Sequence, residues 1–406
     1  MDARPRVVIT GIGVVTSIGT GVGPFWQALL AGSCGIGPVA SFDTTRHAAH
    51  IGGEVKNFDP SKFLRRLAPT SMGRASQMAI AAARLALEDA GFANGGPYPA
   101  GIGVSLGTTS GEPTLIERFN ELEVAGTREA IGAEFIEKYP CHTIAAHVAS
   151  ELSFTGPNLV IPTACAAGNY ALAFASDAIR AGTVDVMLAG GSDCFSRITY
   201  TGFSRLGAIA PERCQPFDRN RKGMVPGEGA AVLVLERFDR AVARGARIYA
   251  ELAGYGLTCD ANHMTAPQGD GAVRAMQLAM ADAGVEPHEV SYISAHGTGT
   301  AVNDRVETAA VKQAFGGAAP HVPISSIKSM LWHTMGAASA IEAAACVLAV
   351  YDGMLPPTIN YETPDPQCDL DYVPNEARRQ PVDVAMNNAY AFGGNNASVI
   401  VRACRP

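Results

Sequence analysis

The amino-acid sequence predicts an α/β protein with buried sheets, built from two similar halves that meet around one site. Three observations carry that prediction. Apolar, β-rich runs alternate along the chain with Ala-rich stretches of helical period. The 406 residues exceed one small domain and suit either two domains or one large fused α/β unit. One pattern, an Ala-rich helix followed by an apolar strand and a Gly-rich turn, occurs twice.

Residues 7–9 (Val-Val-Ile) read as the opening strand. Residues 71–89 read as a helix with Thr70 or Ser71 as its cap and Gly91 as its stop, and residues 102–106 as the next strand. The first copy of the repeated pattern opens with Pro162-Thr163-Ala164-Cys165-Ala166-Ala167-Gly168. It continues as a helix ending near Gly182 and leads to an apolar strand over residues 186–191 and Ser192. The second opens with Ser326-Ile327-Lys328, reaches Gly336-Ala337-Ala338 and ends its helix near Gly353; a strand over residues 382–386 and the pair Gly393-Gly394 follow. Residues 247–257 look like the first strand of the second half, which divides the chain into 1–250 and 251–406.

Composition excludes several classes of function. With 47% hydrophobic and 17% charged residues, disorder is excluded as the main state. Thirty-one basic residues against 38 acidic ones give a net charge of −7 with no basic block, which argues against nucleic acid. The most apolar stretch, residues 337–350, is interrupted by Glu342, so no membrane span is expected. No export signal is read at the start, and nine cysteines without C-x-x-C pairs or metal-like spacing argue for reduced cytoplasmic thiols and no metal site.

Four motifs carry chemistry. Cys165 has small neighbours and an Ala-rich helix behind it, as a sharp strand-to-helix turn requires. A helix N-terminus there would favour the thiolate, making Cys165 a candidate nucleophile; a small core cysteine is the alternative. His296, in Ala295-His296-Gly297-Thr298-Gly299-Thr300, sits at a strand end on a turn of little bulk, placed as a hydrogen-bond donor or proton-transfer group, or else an ordinary loop histidine. His333 lies between Lys328 and Glu342 in an otherwise apolar stretch, which suggests a buried polar network, against a satisfied core histidine with a surface lysine. Asp304 and Glu307, on the helix after His296, would support that network or cap the helix. Phe392, in Phe392-Gly393-Gly394-Asn395-Asn396, reads as the bulky element of a mobile gate hinged on glycines, or as a core residue before a tight turn.

With Val8-Ile9-Thr10-Gly11-Ile12-Gly13, Pro216-Phe217-Asp218, Gly227-Glu228-Gly229-Ala230 and Cys368-Asp369-Leu370-Asp371-Tyr372-Val373-Pro374 added, the chain resembles over nearly its full length a β-ketoacyl-acyl carrier protein synthase. That is a member of the thiolase-like condensing-enzyme superfamily, of the synthase II or type II polyketide ketosynthase kind. The resemblance implies a five-layered αβαβα core of two duplicated halves and decarboxylative condensation of an acyl group with malonyl-acyl carrier protein, in fatty acid or polyketide elongation. It implies Cys165 as the acylated nucleophile, His296 and His333 as the pair that binds the malonyl thioester, and Lys328 with Glu342 as supporting charges. Phe392 would be the gate, its N–H forming an oxyanion hole with that of Cys165, and Thr298 and Thr300 would bind the pantetheine arm. No cofactor is implied beyond the substrates' own phosphopantetheine.

The implied partner is acyl carrier protein, with the chain itself a homodimer or a heterodimer with a chain-length-factor-like subunit. Carrier proteins are acidic while this chain is net negative, so docking calls for a local basic patch; Lys62, Arg65, Arg66, Arg205 and Arg213 are the candidates. Three residues depart from the family pattern. Trp332 stands where glycine normally precedes the second histidine, and is expected to fill part of the acyl or pantetheine channel or to displace the loop, altering substrate range or impairing condensation. Ala391 and Asn395 replace the usual glycine and threonine of the gating turn. A thiolase-type transferase would need a second catalytic cysteine near the C-terminal turn; that turn has none, and Cys404 lies too far along the final strand.

Overall fold

Strands that are apolar on both faces must be covered twice, and that requirement organises the molecule. The computed structural model describes residues 4–92, 98–99, 101–127, 130 and 132–405. The first half contributes strands β1 (Val7–Thr16), β2 (Gly103–Gly107), β3 (Asn158–Ile161), β4 (Val186–Asp193) and β5 (Gly229–Arg237) in the order β1-β5-β4-β2-β3. The second contributes β6 (Ala250–Cys259), β7 (Tyr292–Ser294), β8 (Ile324–Ser325), β9 (Val384–Tyr390) and β10 (Asn395–Arg402) in the order β6-β10-β9-β7-β8. The two ladders share one pattern of directions: β1–β5 and β6–β10 are antiparallel, as are β5–β4 and β10–β9. The pairs β4–β2, β2–β3, β9–β7 and β7–β8 are all parallel. They join edge to edge where Val8 pairs with Glu251 and Ile9 with Ala250.

Residue alternation sorts the side chains into three cores. Along β5, Ala231, Leu233 and Leu235 face a central core while Ala230, Val232 and Val234 face an outer one. Along β10, Val399 and Val401 face the central core and Ile400 the outer core of the second half. Each outer core is closed by helices: α1 (Arg74–Asp89) and α2 (Thr143–Leu152) on the first sheet, α4 (Gly269–Ala283) and α5 (Asn303–Phe315) on the second. The central core holds α3 (Ala167–Arg180) and α7 (Ala338–Asp352), which completes the five layers, helix-sheet-helix-sheet-helix. This is the thiolase-like arrangement that the resemblance implied.

The composition of α7 follows from its place between two sheets. Every residue from 338 to 350 is buried, and small side chains let both sheets approach. Gly168 on α3 has no room for a side chain, since a Cβ there would lie 2.5 Å from the backbone N of Ala340. The two central helices therefore touch backbone to backbone at their N-terminal ends, which brings together the turns that precede them. The stretch Met335–Asp352 has a mean hydropathy of 1.3 and length enough to cross a membrane, but Glu342 interrupts it, as read from the sequence, and 89% of it is buried inside the fold.

The start of α1 differs from its expected form. Neither Thr70 nor Ser71 caps it: residues Pro69–Ser71 make a short 3-10 turn, and the helix begins at Arg74. The buried carboxylate of Glu112 accepts from the N–H groups of Ala75 and Ser76 instead, a cap supplied from 37 residues away. Gly91 ends the helix as expected, with φ +77° and its N–H donating to Glu88.

Candidate active site

The nucleophile turn is built by backbone that few residues tolerate. Between β3 and α3 the chain makes a 3-10 turn, Ala164–Ala166, entered through Ala164 at φ +50°. Small residues satisfy that turn and leave Cys165 as its side chain of consequence, 8% exposed at the foot of a cavity. Burial pushes the Cys165 thiol up to about 12, against the pull of the Lys328 ammonium. The resting group is therefore a thiol, and the expected standing thiolate is corrected: desolvation outweighs the Lys328 ammonium and the backbone N–H of Cys165.

The second half delivers both imidazoles to the same cavity. His296 follows β7 on a turn whose N–H groups at His296 and Gly297 donate to Glu307 Oε1 and Oε2, both at 2.8 Å. Asp304 accepts from the N–H groups of Gly299 and Phe217. The two carboxylates thus hold the loop in place and do not cap their own helix. His333 lies between α6 (Lys328–Leu331) and α7, its ring centroid 5.6 Å from that of His296 at an interplanar angle of 82°. Both rings are buried, which holds them neutral well below the usual histidine range, helped by the Lys328 ammonium.

The proton positions follow from the partners. The Met335 N–H donates to His333 Nδ1 at 3.1 Å, and Lys328 Nζ lies 3.5 Å from His296 Nδ1 as a donor. Each ring therefore carries its hydrogen on Nε2. Lys328 is 1% exposed and also donates to Glu342, the pairing expected of two buried charges. Burial pushes Glu342 up to about 7 although Lys328 pulls the other way.

A cavity of about 390 Å³ joins these groups, lined by Cys165, His296, His333, Thr298, Thr300 and Phe392 among others. The Oγ1 atoms of Thr298 and Thr300 lie 2.9 Å apart on its wall. At the mouth Phe392 rests against Phe203, centroids 5.7 Å apart. In its turn the N–H groups of Ala391, Gly393 and Gly394 donate to Asn395, Met264 and Ala391 respectively, which leaves the Phe392 N–H uncommitted among the described residues. Among the described residues no group of three His, Cys, Asp or Glu side chains is arranged to hold a metal ion.

The basic candidates are not brought together. Arg205 ends the helix Arg197–Arg205 beside the cavity-lining Phe203, Leu206 and Gly207. Lys62 ends the 3-10 turn Pro60–Lys62, Arg65 and Arg66 follow on a loop whose backbone N–H groups at 65 and 66 donate to Glu151 on α2, and none of the three lines the cavity. Arg213 is committed to Glu362 through two hydrogen bonds of 2.6 and 2.9 Å.

Trp332 does not enter the channel, contrary to expectation. Its backbone, at φ +67° and ψ −178°, occupies a region that is essentially glycine's own, so the loop keeps the path glycine would give it. The indole turns away from the cavity into a separate apolar cluster with Ala210, Cys214 and Val225. Gly53 makes the room, since a Cβ there would lie 2.5 Å from Trp332 Cδ1. Trp332→Gly should therefore lower stability by about 2 kcal/mol, a lost core side chain offset in part by released strain. The product chain length should not change, and a shifted product profile would return the indole to the channel.

Sequence reasoning missed three groups. Asp193, at the end of β4, accepts from Thr108 Oγ1 and from the N–H groups of Thr109 and Gly336, at 2.6 to 2.7 Å. It pins the turn after His333 to the first half; the signal was a charge closing an apolar strand, and burial raises it to about 6. Asn169 and Asn387 bond to each other at 2.9 Å across the two halves, with Ser339 between them. Cys259 comes to 3.9 Å from the Gly393 carbonyl through β6–β10 pairing, so the fold does put a cysteine near that turn, outside the cavity lining. Cys404 lies beside Arg6, away from the cavity.

Known proteins resemble this chain over nearly its full length. The family model for the β-ketoacyl synthase N-terminal domain matches residues 4–241, and that for the C-terminal domain matches residues 249–362. A relative from Synechocystis sp., 3-oxoacyl-acyl-carrier-protein synthase 2, is 40% identical over 405 residues, 98% of this chain and 97% of its own. A chain of the ishigamide ketosynthase/chain length factor superimposes with a TM-score of 0.96 at 44% identity, covering 99% of this chain and 100% of that one. A chain from the complex of a type II polyketide synthase acyl-carrier protein with its ketosynthase bound to the hexaketide gives 0.91 at 34% identity, with the same coverage.

Proposed function

The chain belongs to the β-ketoacyl synthase family and is a condensing acyltransferase of fatty acid or polyketide elongation, and from that premise we propose which residues do the chemistry. Cys165 takes the acyl group, and His296 and His333 bind the malonyl thioester. The observation that carries this reading is two neutral imidazoles, each with Nε2–H free to donate, in one cavity with a buried thiol. Sγ gives its proton to solvent and attacks the acyl thioester as the thiolate, the pantetheine sulfur leaves and takes up a proton from solvent, and an acyl-enzyme remains. Malonyl thioester then loses carbon dioxide; the electron pair of the broken bond passes into the enolate, whose oxygen the two Nε2–H groups hold. The carbanion attacks the acyl carbon, whose oxyanion meets the N–H groups of Cys165 and Phe392; as that oxyanion collapses the C–S bond to Cys165 breaks, and the released thiolate regains a proton from solvent. The product is two carbons longer. Thr298 and Thr300 hold the pantetheine arm, and Phe392 closes the mouth against water. Lys328 and Glu342 set the imidazoles, with Asp304 and Glu307 holding the loop beneath them.

Mass spectrometry with an acyl-carrier thioester should show the acyl mass on Cys165, and added malonyl-carrier protein should remove it. The half-reactions should differ in pH dependence. With the thiol at about 12, Cys165 acylation should rise close to tenfold per pH unit from 7 to 9, in proportion to thiolate. Decarboxylation should stay flat down to about pH 6, because the imidazoles are held neutral below the ordinary value. Equal pH slopes would contradict the assignment.

The same reading places acyl carrier protein at the cavity mouth and the halves at residues 1–250 and 251–406, in a cytoplasmic protein. Arg205 is the docking cation that geometry favours. Arg205→Glu should raise the KM for carrier-bound substrate about tenfold at low salt and leave that for a pantetheine thioester unchanged, whereas Arg213→Glu should change neither. Assembly is proposed as a dimer. The likeness to the ishigamide ketosynthase/chain length factor favours a partner subunit over a second copy, and the mass of the purified complex decides between them.

A further inference from the structure

The charged side chains that line the cavity differ in what already holds them. Arg221, 4% exposed, is committed inside the fold: its guanidinium pairs with Asp365 at 2.6 Å and donates to the carbonyls of Asp218, Thr300 and Ala301. Asp260 accepts from Asn396 Nδ2 at 2.7 Å and from the Gln268 N–H at 3.0 Å. Lys222 lines the same cavity, is exposed, and has neither a carboxylate nor a hydrogen-bond partner among the described residues.

Its place is set by its neighbours. Arg221 Nε donates to the Thr300 carbonyl at 3.2 Å and the Gly223 N–H to the Gly299 carbonyl at 3.0 Å, so Lys222 stands beside the turn that carries Thr298 and Thr300. On the other side the Met224 N–H donates to the Ala208 carbonyl at 2.9 Å, and the adjoining Gly207 is open, with nothing within 4 Å of where a Cβ would lie. Gly207 and Ala208 line the cavity too, so the lysine, a point charge on a flexible four-carbon stem, stands at a rim of little bulk. A cavity that takes a pantetheine arm meets one anion on it, the phosphate that joins arm to carrier, and that group comes to the mouth as the thioester reaches the histidines.

We propose that Lys222 is the cation that binds the phosphate of the phosphopantetheine arm at the cavity mouth; this rests on the Cys165–His296–His333 reading and extends it to the far end of the substrate. Placement separates this role from that of Arg205, which lies outside the cavity lining and meets the carrier, whereas Lys222 lies in the lining and meets the arm. The phosphate is far from the reacting atoms and keeps its charge through both half-reactions, so the contact acts on KM and not on kcat. Water reaches the pair, so its effect is modest and falls with salt.

Malonyl-phosphopantetheine and malonyl-pantetheine differ only in the phosphate, and carbon dioxide release reads both. At about 50 mM salt the wild type should show a KM about fivefold lower for the phosphorylated probe, shrinking below about twofold near 500 mM, the scale of an exposed charge pair. Lys222→Gln should raise the KM for the phosphorylated probe until the two probes are equal, and Lys222→Arg should restore most of the preference. A preference that survives in the Gln variant overturns the inference. So does a Gln variant whose KM rises equally for both probes, which would mark a contact with the arm itself, or one that weakens only carrier-bound substrate, which would set Lys222 against carrier carboxylates. A wild-type enzyme that releases carbon dioxide from neither probe would overturn the roles of His296 and His333, a result separate from the ratio between probes.

Discussion

Cys165→Ala should abolish acyl mass gain and lower condensation at least about 10⁴-fold, while carbon dioxide release from malonyl thioester persists within about tenfold of wild type. The two halves of the reaction draw on different groups. Acyl transfer has one nucleophile in the cavity, and alanine supplies none. Decarboxylation needs the two Nε2–H donors, whose orientation is set by Met335 N–H and Lys328 and owes nothing to sulfur. The measurement is carbon dioxide release and condensed product from the same preparation. Loss of both would mean that the sulfur also organises the imidazoles; loss of neither would remove Cys165 from the chemistry.

The second large effect concerns the buried pair. Glu342→Ala leaves the Lys328 ammonium, 1% exposed, without its carboxylate partner, and should destabilise the protein by about 3–5 kcal/mol in denaturant titration. Glu342→Gln keeps the shape and an acceptor and should cost well under half of that. The pH dependence has a definite sign. Folded Glu342 titrates near 7, above its ordinary 4.5, so the stability this group contributes is fully present below about pH 4.5 and is lost as pH rises through 7. The stability difference between wild type and the Gln variant should fall across that window. A difference independent of pH would show that Glu342 stays ionised throughout. Activity should follow geometry: the Ala variant frees Lys328 to leave His296 Nδ1 and should slow decarboxylation more than acylation.

The reach of the sequence is clearest at particular residues. Cys165 and His296 were legible because each sits in a local motif whose small neighbours have a steric reason, and His333 because Lys328 and Glu342 flank it in an apolar stretch; Ala164, at φ +50°, shows that reason at the nucleophile turn. The doubled pattern of helix, strand and turn foretold a repeat, and the two ladders have the same order and directions. Trp332 was misplaced because the space that takes its indole is left by Gly53, 279 positions away in the chain, and no local pattern reports that. The cap of α1 was misassigned for the same kind of reason, its acceptor Glu112 coming from another element.

By itself the sequence determined which elements form and which side chains are chemically able, since periodicity, turn chemistry and small-residue motifs act over a few neighbouring residues. Tertiary structure alone decided the protonation state and the company each of those side chains keeps. Burial turned the thiolate into a thiol, fixed both imidazoles as neutral donors and drew the indole out of the channel. Desolvation and hydrogen bonding depend on what surrounds a group in three dimensions, and those surroundings come from segments hundreds of residues apart.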